Sequence, residues 1–280
     1  MYELKLSSLT LRFVPREYVE SIFHELSLRH YHNVKLIAKD AISQIRISKS
    51  NSTAEKERND GYIWEVFFTF FDNLASFWGS IEDKKYYNSW VSLQDSLDSL
   101  RSIKKFYTLQ CTTVLFFEKQ LLSLERLYPY GLFSSVGFIE SNHECSICHK
   151  DMDSDDCEHL RGDLYFGEIA YAIINKIERL DHIALVHSPL DKRLVVGIND
   201  DHPSFKVFID MVSLFNDKKM NPVNFSEAIV LDFMKKNPDW VKVSRNERCF
   251  CGSGIKYKKC CIKNEYVKHR HIEFKSFKLI

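Results

Sequence analysis

The sequence predicts an α+β fold, predominantly helical, in which a helical block adjoins a small metal-stapled α+β unit and a short second metal module closes the chain. Three observations carry this. Aromatic and aliphatic residues recur every three to four positions between Tyr62 and Leu127, the period of a helix with one buried face. Seven of the eight cysteines fall in two clusters at metal-ligand spacing. Finally, 280 residues that are 45% hydrophobic suffice to bury a core, so the chain is not disordered throughout.

Residues 1–50 are expected to be a mixed α/β segment. Tyr2, Leu4 and Leu6 alternate as on a half-buried strand, Pro15 can open a helix carrying Tyr18, Ile22 and Leu26, and Val34 to Ile47 is rich in β-branched residues. The polar stretch Ser48 to Gly61 reads as a loop or linker. The helical block is expected over 62–130: Ile63, Phe67, Phe71, Leu74 and Trp78 form one stripe, Trp90, Leu93, Leu97 and Leu100 a second, and Leu115 to Leu127 a third. Aromatic stripes at this spacing read as core rather than as a ligand groove. Pro129 and Gly131 break the pattern.

A metal-stapled α+β unit is expected over 143–240. Within it Gly167 to Leu180 reads as a helix with Ile169, Ile173 and Ile177 on one face. His182 to His187 and Leu194 to Ile198 read as short strands about a turn at Pro189 to Lys192. Phe225 to Lys236 reads as a further helix, with Asn224 and Glu227 placed like a capping pair and Pro238 ending it. There is no Gly-rich phosphate loop and no repeat of fold scale.

The central cluster is Cys145-Ser-Ile-Cys148, eight residues, then Cys157-Glu-His159. Three thiolates and one imidazole at knuckle spacing suit Zn²⁺, and a full set of four protein ligands points to a closed structural site rather than a catalytic one. His143 and His149 stand as alternatives to His159 for the fourth position. Asp151, Asp153, Asp155 and Asp156 fill the loop but fail the calcium-loop spacing, because Asp156 occupies the glycine position and Gly162 the bidentate-glutamate position.

The second cluster is Cys249-Phe-Cys251, eight residues, then Cys260-Cys261. Four thiolates can close a tetrahedral site, Gly252 and Gly254 permit tight turns around it, and so short a segment needs the metal to fold. Two zinc ions per chain are therefore expected. Adjacent Cys260 and Cys261 make a poor disulfide framework, so a reducing, cytoplasmic setting is expected. Met1 to Pro15 lacks a basic start followed by an apolar run, and the longest apolar run, Ile169 to Ile174, is too short to span a membrane.

Charge is segregated. From Val241 to Ile280 there are 11 Lys/Arg against 3 Asp/Glu, which leaves the rest of the chain acidic within an overall charge of +1. A basic end suits an acidic protein surface or nucleic acid.

Arg245 to Cys261, with its Cys-Gly-Ser-Gly core and the run Lys256-Tyr257-Lys258-Lys259, resembles the SEC-C motif found at the end of the SecA translocase motor and in many otherwise unrelated bacterial proteins. Arg248 and Phe250 stand where that family often has proline, with all four ligands retained. In the translocase motor the module binds an export chaperone and contacts ribosomes. The resemblance thus implies a docking element over 245–263, with Lys256, Lys258 and Lys259 as partner-binding residues and 264–280 as a basic tail. Residues 145–195 also resemble, faintly, the cysteine-rich segment of some tailed-phage capsid-maturation proteases, without a nucleophile and base to carry activity over.

The reading these features favour is a non-enzymatic, zinc-binding adaptor or regulator that docks a protein, a ribosome or nucleic acid. The alternative is a hydrolase acting on nucleic acid or protein, in phage conflict, built from His182, His187 and His202 with Asp181, Asp191, Asp200 and Asp201. Direct nucleic-acid binding would draw on Tyr257, Tyr266, Phe274 and Phe277 beside the basic charge.

Overall fold

The structure is a computed structural model that describes residues 4–6, 14–237 and 240–277. It is 46% helix and 22% strand, in accord with a predominantly helical α+β fold. The chain divides into two compact units, Met1–Glu227 with Ser276–Ile280, and Ala228–Lys275. Of the expected N-terminal strand, Tyr2 lies outside the described residues, and Leu4 is buried without strand pairing.

The first unit opens with five helices. Helix α1 (Pro15–Ser27) starts on Pro15, whose missing N–H and fixed φ suit the first turn, and buries Val19, Ile22, Phe23 and Leu26. Helix α2 (Tyr31–Asn51) covers the stretch expected to be β-rich. Its buried set, Val34, Ala38, Ala41, Ile45 and Ser48, steps by four and three. That period outweighs the β preference of its valine and isoleucines, since helix stability in proteins comes mainly from packing an amphipathic face. The expected linker at Ser48 to Gly61 shrinks to 52–54, because α3 (Glu55–Glu82) already begins at Glu55.

Helix α3 is the spine of this unit. Trp64, Phe67, Phe68, Phe70, Phe71, Leu74, Phe77 and Trp78 are all buried, so the helix is apolar nearly all round and needs neighbours on several sides. It packs along α2 and along α4 (Tyr86–Phe106). Helix α5 (Thr112–Glu125) inserts Phe117 with ring centroids 5.3 Å from Phe70 and 6.0 Å from Phe71. Helix α6 (Lys206–Lys218) lays Phe215 against Trp78 at 5.3 Å, and Tyr86 stacks on Phe205 at 4.6 Å. The aromatic stripes are core.

From this block rises a two-stranded antiparallel ribbon, β1 (Phe133–Cys145) with β4 (Ala172–Val186), its connection holding a small hairpin, β2 (Leu164–Tyr165) with β3 (Glu168–Ile169). The helix expected over Gly167 to Leu180 is therefore β3 and most of β4. The four-residue step of Ile169, Ile173 and Ile177 that suggested a helix spans two different strands, β3 and β4. The β1–β4 register is itself irregular: Gly137 pairs with His182 but Phe138 with Leu180, and Ile139 pairs with Arg179 but Glu140 with Ile177, so each bulge skips one residue of β4 and Ile177, Leu180 and Ile183 fall three apart. Leu194 to Ile198 runs without a strand of its own, apart from the bridge of Val195 to Phe133.

The expected helix Phe225 to Lys236 is strand β5, paired with β6 (Tyr266–Ser276). Asn224 and Glu227 do not form a capping pair. The Asn224 Oδ1 accepts from the Asn221 N–H at 3.1 Å and Glu227 meets Lys119 at 3.3 Å, while the expected stop, Pro238, lies outside the described residues. The strand's partner lies dozens of residues away, so no local pattern announces it. The stretch expected as a basic tail, 264–280, consists largely of β6. Among the described residues no helix is long and apolar enough to cross a membrane.

Candidate metal centres

The central cluster forms where the β1–β4 ribbon ends. Strand β1 delivers Cys145, which is buried; the Cys145 N–H donates to the Lys150 carbonyl at 2.8 Å and the His149 N–H to the Cys145 carbonyl at 2.9 Å. This knuckle turn closes through a left-handed His149, φ 59°, and presents Cys148 to the same point as Cys145. Cys157 and His159 arrive from the acidic loop. One ligand atom from each of Cys145, Cys148, Cys157 and His159 lies within 4.8 Å of the others.

These residues can hold a metal ion. The Cys148 and Cys157 sulfurs are 3.7 Å apart, close to the edge of roughly 3.8 Å that tetrahedral geometry gives for a Zn–S bond of about 2.3 Å. The His159 Nδ1 is buried without a hydrogen-bond partner, the state of an imidazole nitrogen that fits a metal. Its ring stands edge-on to Tyr165 at 4.7 Å. The alternatives stand outside this converging group, His143 Nδ1 meeting Asp153 at 2.7 Å and His149 Nδ1 meeting Glu144 at 2.7 Å.

Contacts to the helices fix this centre in the first unit, and local sequence held no sign of them. The Gly167 N–H donates to Asn59 Oδ1 at 2.7 Å, and Lys49 Nζ donates to the Gly167 carbonyl at 3.1 Å. Gly167 has φ +79°, and a Cβ there would lie 2.6 Å from the Arg58 carbonyl oxygen. Lys105 reaches the Gly162 carbonyl and meets Asp163 at 3.5 Å. The knuckle, its hairpin and helices α2 to α4 are one packed body.

The terminal cluster is built differently. The Arg248–Lys256 bridge and the bond from the Cys249 N–H to the Ile255 carbonyl, 2.8 Å, draw a tight loop through Gly252 and Gly254, both at positive φ. The 3-10 turns Tyr257–Lys259 and Cys261–Asn264 then carry Cys260 and Cys261 back to Cys249 and Cys251. All four sulfurs lie within 4.8 Å of one another, with Cys251–Cys260 at 3.5 Å and Cys260–Cys261 at 3.8 Å. The Ser253 hydroxyl lies 3.3 Å from the Cys260 sulfur.

So many thiols at one point cannot all ionise unaided. The Ser253 hydroxyl and then its N–H, with Cys249 and Cys260, hold Cys251 down to about 6, whereas Cys249 and Cys251 push Cys261 up to about 12. A divalent cation among the four sulfurs removes that conflict, because a coordinating thiol is deprotonated outright.

Tyr257 is buried beneath the loop, its hydroxyl accepting from the Trp240 indole N–H and donating to Glu265 at 3.3 Å, and Lys236 lies over the Trp240 ring at 3.5 Å. These contacts, absent from the motif reading, tie the loop to the β5–β6 pair that frames it. Lys256, Lys258 and Lys259 flank Tyr257 and are exposed. Tyr257 is thereby removed from base stacking; Phe277 packs on Phe116 at 5.3 Å yet, like Tyr266, remains exposed.

The histidines and aspartates of the hydrolase alternative do not form a group. His182 pairs with Asp181 at 3.0 Å and His187 Nδ1 meets the Gly131 carbonyl at 2.7 Å. Asp191 is spent on Arg193, Asp200 accepts from the Tyr87 N–H, and the His202 ring accepts from the Ser204 N–H. Asp201 is exposed. Among the described residues, the two cysteine clusters alone bring three or more His, Cys, Asp or Glu ligand atoms together.

Residues 245–263 match the family model of the SEC-C motif. No curated protein and no solved structure matches the chain.

Proposed function

We propose that this chain is a zinc-binding adaptor whose SEC-C module docks an acidic partner through Lys256, Lys258 and Lys259. Zn²⁺ would be held by Cys249, Cys251, Cys260 and Cys261, with a second ion on Cys145, Cys148, Cys157 and His159. Both would be structural, since each set already supplies four protein ligands. The observation that carries the reading is the placing of the lysines. All three lie on or beside one 3-10 turn, anchored from below by buried Tyr257 and followed at once by two of the sulfurs. Among the described residues none of the three pairs with a carboxylate of its own chain. Ammonium groups held on a small rigid loop attract an acidic surface over about 8 Å at physiological ionic strength.

The test is affinity capture from native extract with wild-type protein, Cys260→Ser and the triple variant Lys256→Glu/Lys258→Glu/Lys259→Glu. An interactor lost from both variants, and released from wild type by added salt, is the expected result. Interactors that ignore both changes would overturn the docking role. A log–log salt slope set by the number of phosphates neutralised would identify the partner as nucleic acid instead of protein.

A further inference from the structure

We propose that the apolar face of the β1–β4 ribbon is the seat of a second copy of this chain. Residues directly opposed across an antiparallel pair share a face. The pairs Ser134 with Leu185, Val136 with Ile183, Phe138 with Leu180 and Glu140 with Ile177 thus form one face. Val136, Phe138, Ile177, Leu180, Ile183 and Leu185 are each 41–66% exposed on it.

The opposite face differs in kind. Along its middle it carries Ser135, Gly137, Ser141, Lys176, Arg179 and His182, and its exposed large apolar residues, Ile139 and Ile174, are separated by the Ser141–Lys176 pair. The His182 ring lies so close over Gly137 that a Cβ there would sit 2.5 Å from its Cε1, which places this pair, and with it the polar side, unambiguously. Both bulges keep the apolar residues of β4 on a single side although their spacing in sequence is three. Without them Leu180, an odd step from both Ile183 and Ile177, would point to the other face, so the register itself builds an amphipathic ribbon.

Area selects the occupant. At typical residue areas the six side chains expose on the order of 600 Å², the upper end of the largest apolar patch on ordinary monomers, about 300–600 Å². Two such faces apposed bury about 1,200 Å² from these residues alone, which reaches the lower bound of a stable protein interface. Between Ser134 and Phe138, and their partners Leu185 to Leu180, no paired residue on this face is charged, so it selects no charged ligand and complements itself. Two ribbons of equal right-handed twist stack face to face at about 30° with their side chains interdigitated. A two-stranded ribbon is marginal alone in water, and a second copy gives strands of 13 and 15 residues the cover they lack.

The full chain with zinc bound is examined by sedimentation and light scattering at micromolar concentration. Wild type is expected at twice the chain mass. The variant Leu180→Lys/Ile183→Lys is expected at the chain mass, with self-association weakened on the order of 100-fold or more. Lys176→Glu/Arg179→Glu, on the opposite face, should stay at twice the chain mass. Circular dichroism and zinc content report whether each variant is folded. Should the lysine variant misfold, Ile183→Thr/Leu185→Thr, which keeps β-branched or β-tolerant side chains on the strand, is expected to weaken the dimer in the same direction. A monomeric wild type, or a dimer indifferent to both apolar-face variants, overturns the proposal.

Discussion

Both cysteine clusters occupy the connection between two paired strands, β1 to β4 in the first unit and β5 to β6 in the second, and both space their ligand pairs by eight residues. Their surroundings are unlike. The central loop hands backbone groups to side chains of three helices, Asn59 and Lys49 to Gly167 and Lys105 to Gly162, so its shape is written into a large core. The terminal loop rests on Trp240, Tyr257 and Glu265 of its own unit, whose buried apolar residues, among those described, are few: Ala228, Cys249, Tyr257 and Ile272. A metal held in the first place would fasten a body that already has a core. In the second it would substitute for one.

The sharpest way to break this contrast is a matched pair of ligand substitutions. Cys148→Ser is expected to lower the main cooperative unfolding transition by about 3–5 kcal/mol, because buried thiolates lose their metal in a loop packed on α2 to α4. Cys251→Ser is expected to leave that transition within about 0.5 kcal/mol while abolishing protease resistance around residues 245–263. Chemical denaturation followed by circular dichroism measures the first quantity, and limited proteolysis with mass spectrometry the second. Equal losses in the main transition would erase the distinction.

A pair of glycines sharpens it at smaller scale. Gly167 and Gly254 share a left-handed conformation, φ +79° and +72°, but a Cβ at Gly167 meets the Arg58 carbonyl at 2.6 Å, whereas nothing lies within 4 Å of one at Gly254. Gly254→Ala should therefore cost only the conformational penalty, about 1–2 kcal/mol, confined to its module. Gly167→Ala adds displacement of α3 backbone and should cost about 2–4 kcal/mol in the main transition. Melting curves of the two variants, read beside wild type, decide the order.

The smallest effect is a count. Elemental analysis of protein purified without chelator is expected to give two zinc ions per chain, and one in either cysteine variant. A wild type with a single ion would remove one centre from the comparison, and unchanged zinc in Cys148→Ser would remove that residue from its ligand set.

Both ligand groups were legible in the sequence because cysteine and histidine at two- and eight-residue steps are rare unless something binds them, and the short loops leave the chain little choice but to converge. The stripes of α3 to α5 were legible for a related reason: Phe67, Phe71, Leu74 and Trp78 repeat with the helix's own period. Choosing His159 over His143 and His149 was harder. What separates them is placement: His159 alone of the three converges on the Cys145, Cys148 and Cys157 sulfurs.

By itself, then, the order of residues determined where metal can bind, which helices form the core and where the basic charge gathers, since each of these depends on neighbours within a few turns of chain. Only tertiary structure decided that 172–186 and 225–236 are strands, that Gly167 is pinned between Asn59, Lys49 and Arg58, and that six apolar side chains line one exposed face of a ribbon. A strand takes its backbone ladder hydrogen bonds from a partner that can lie anywhere in the chain, and a bulge in that pairing, as in β4, moves the hydrophobic period away from two. Local spacing therefore pointed to a helix where pairing at long range made a sheet.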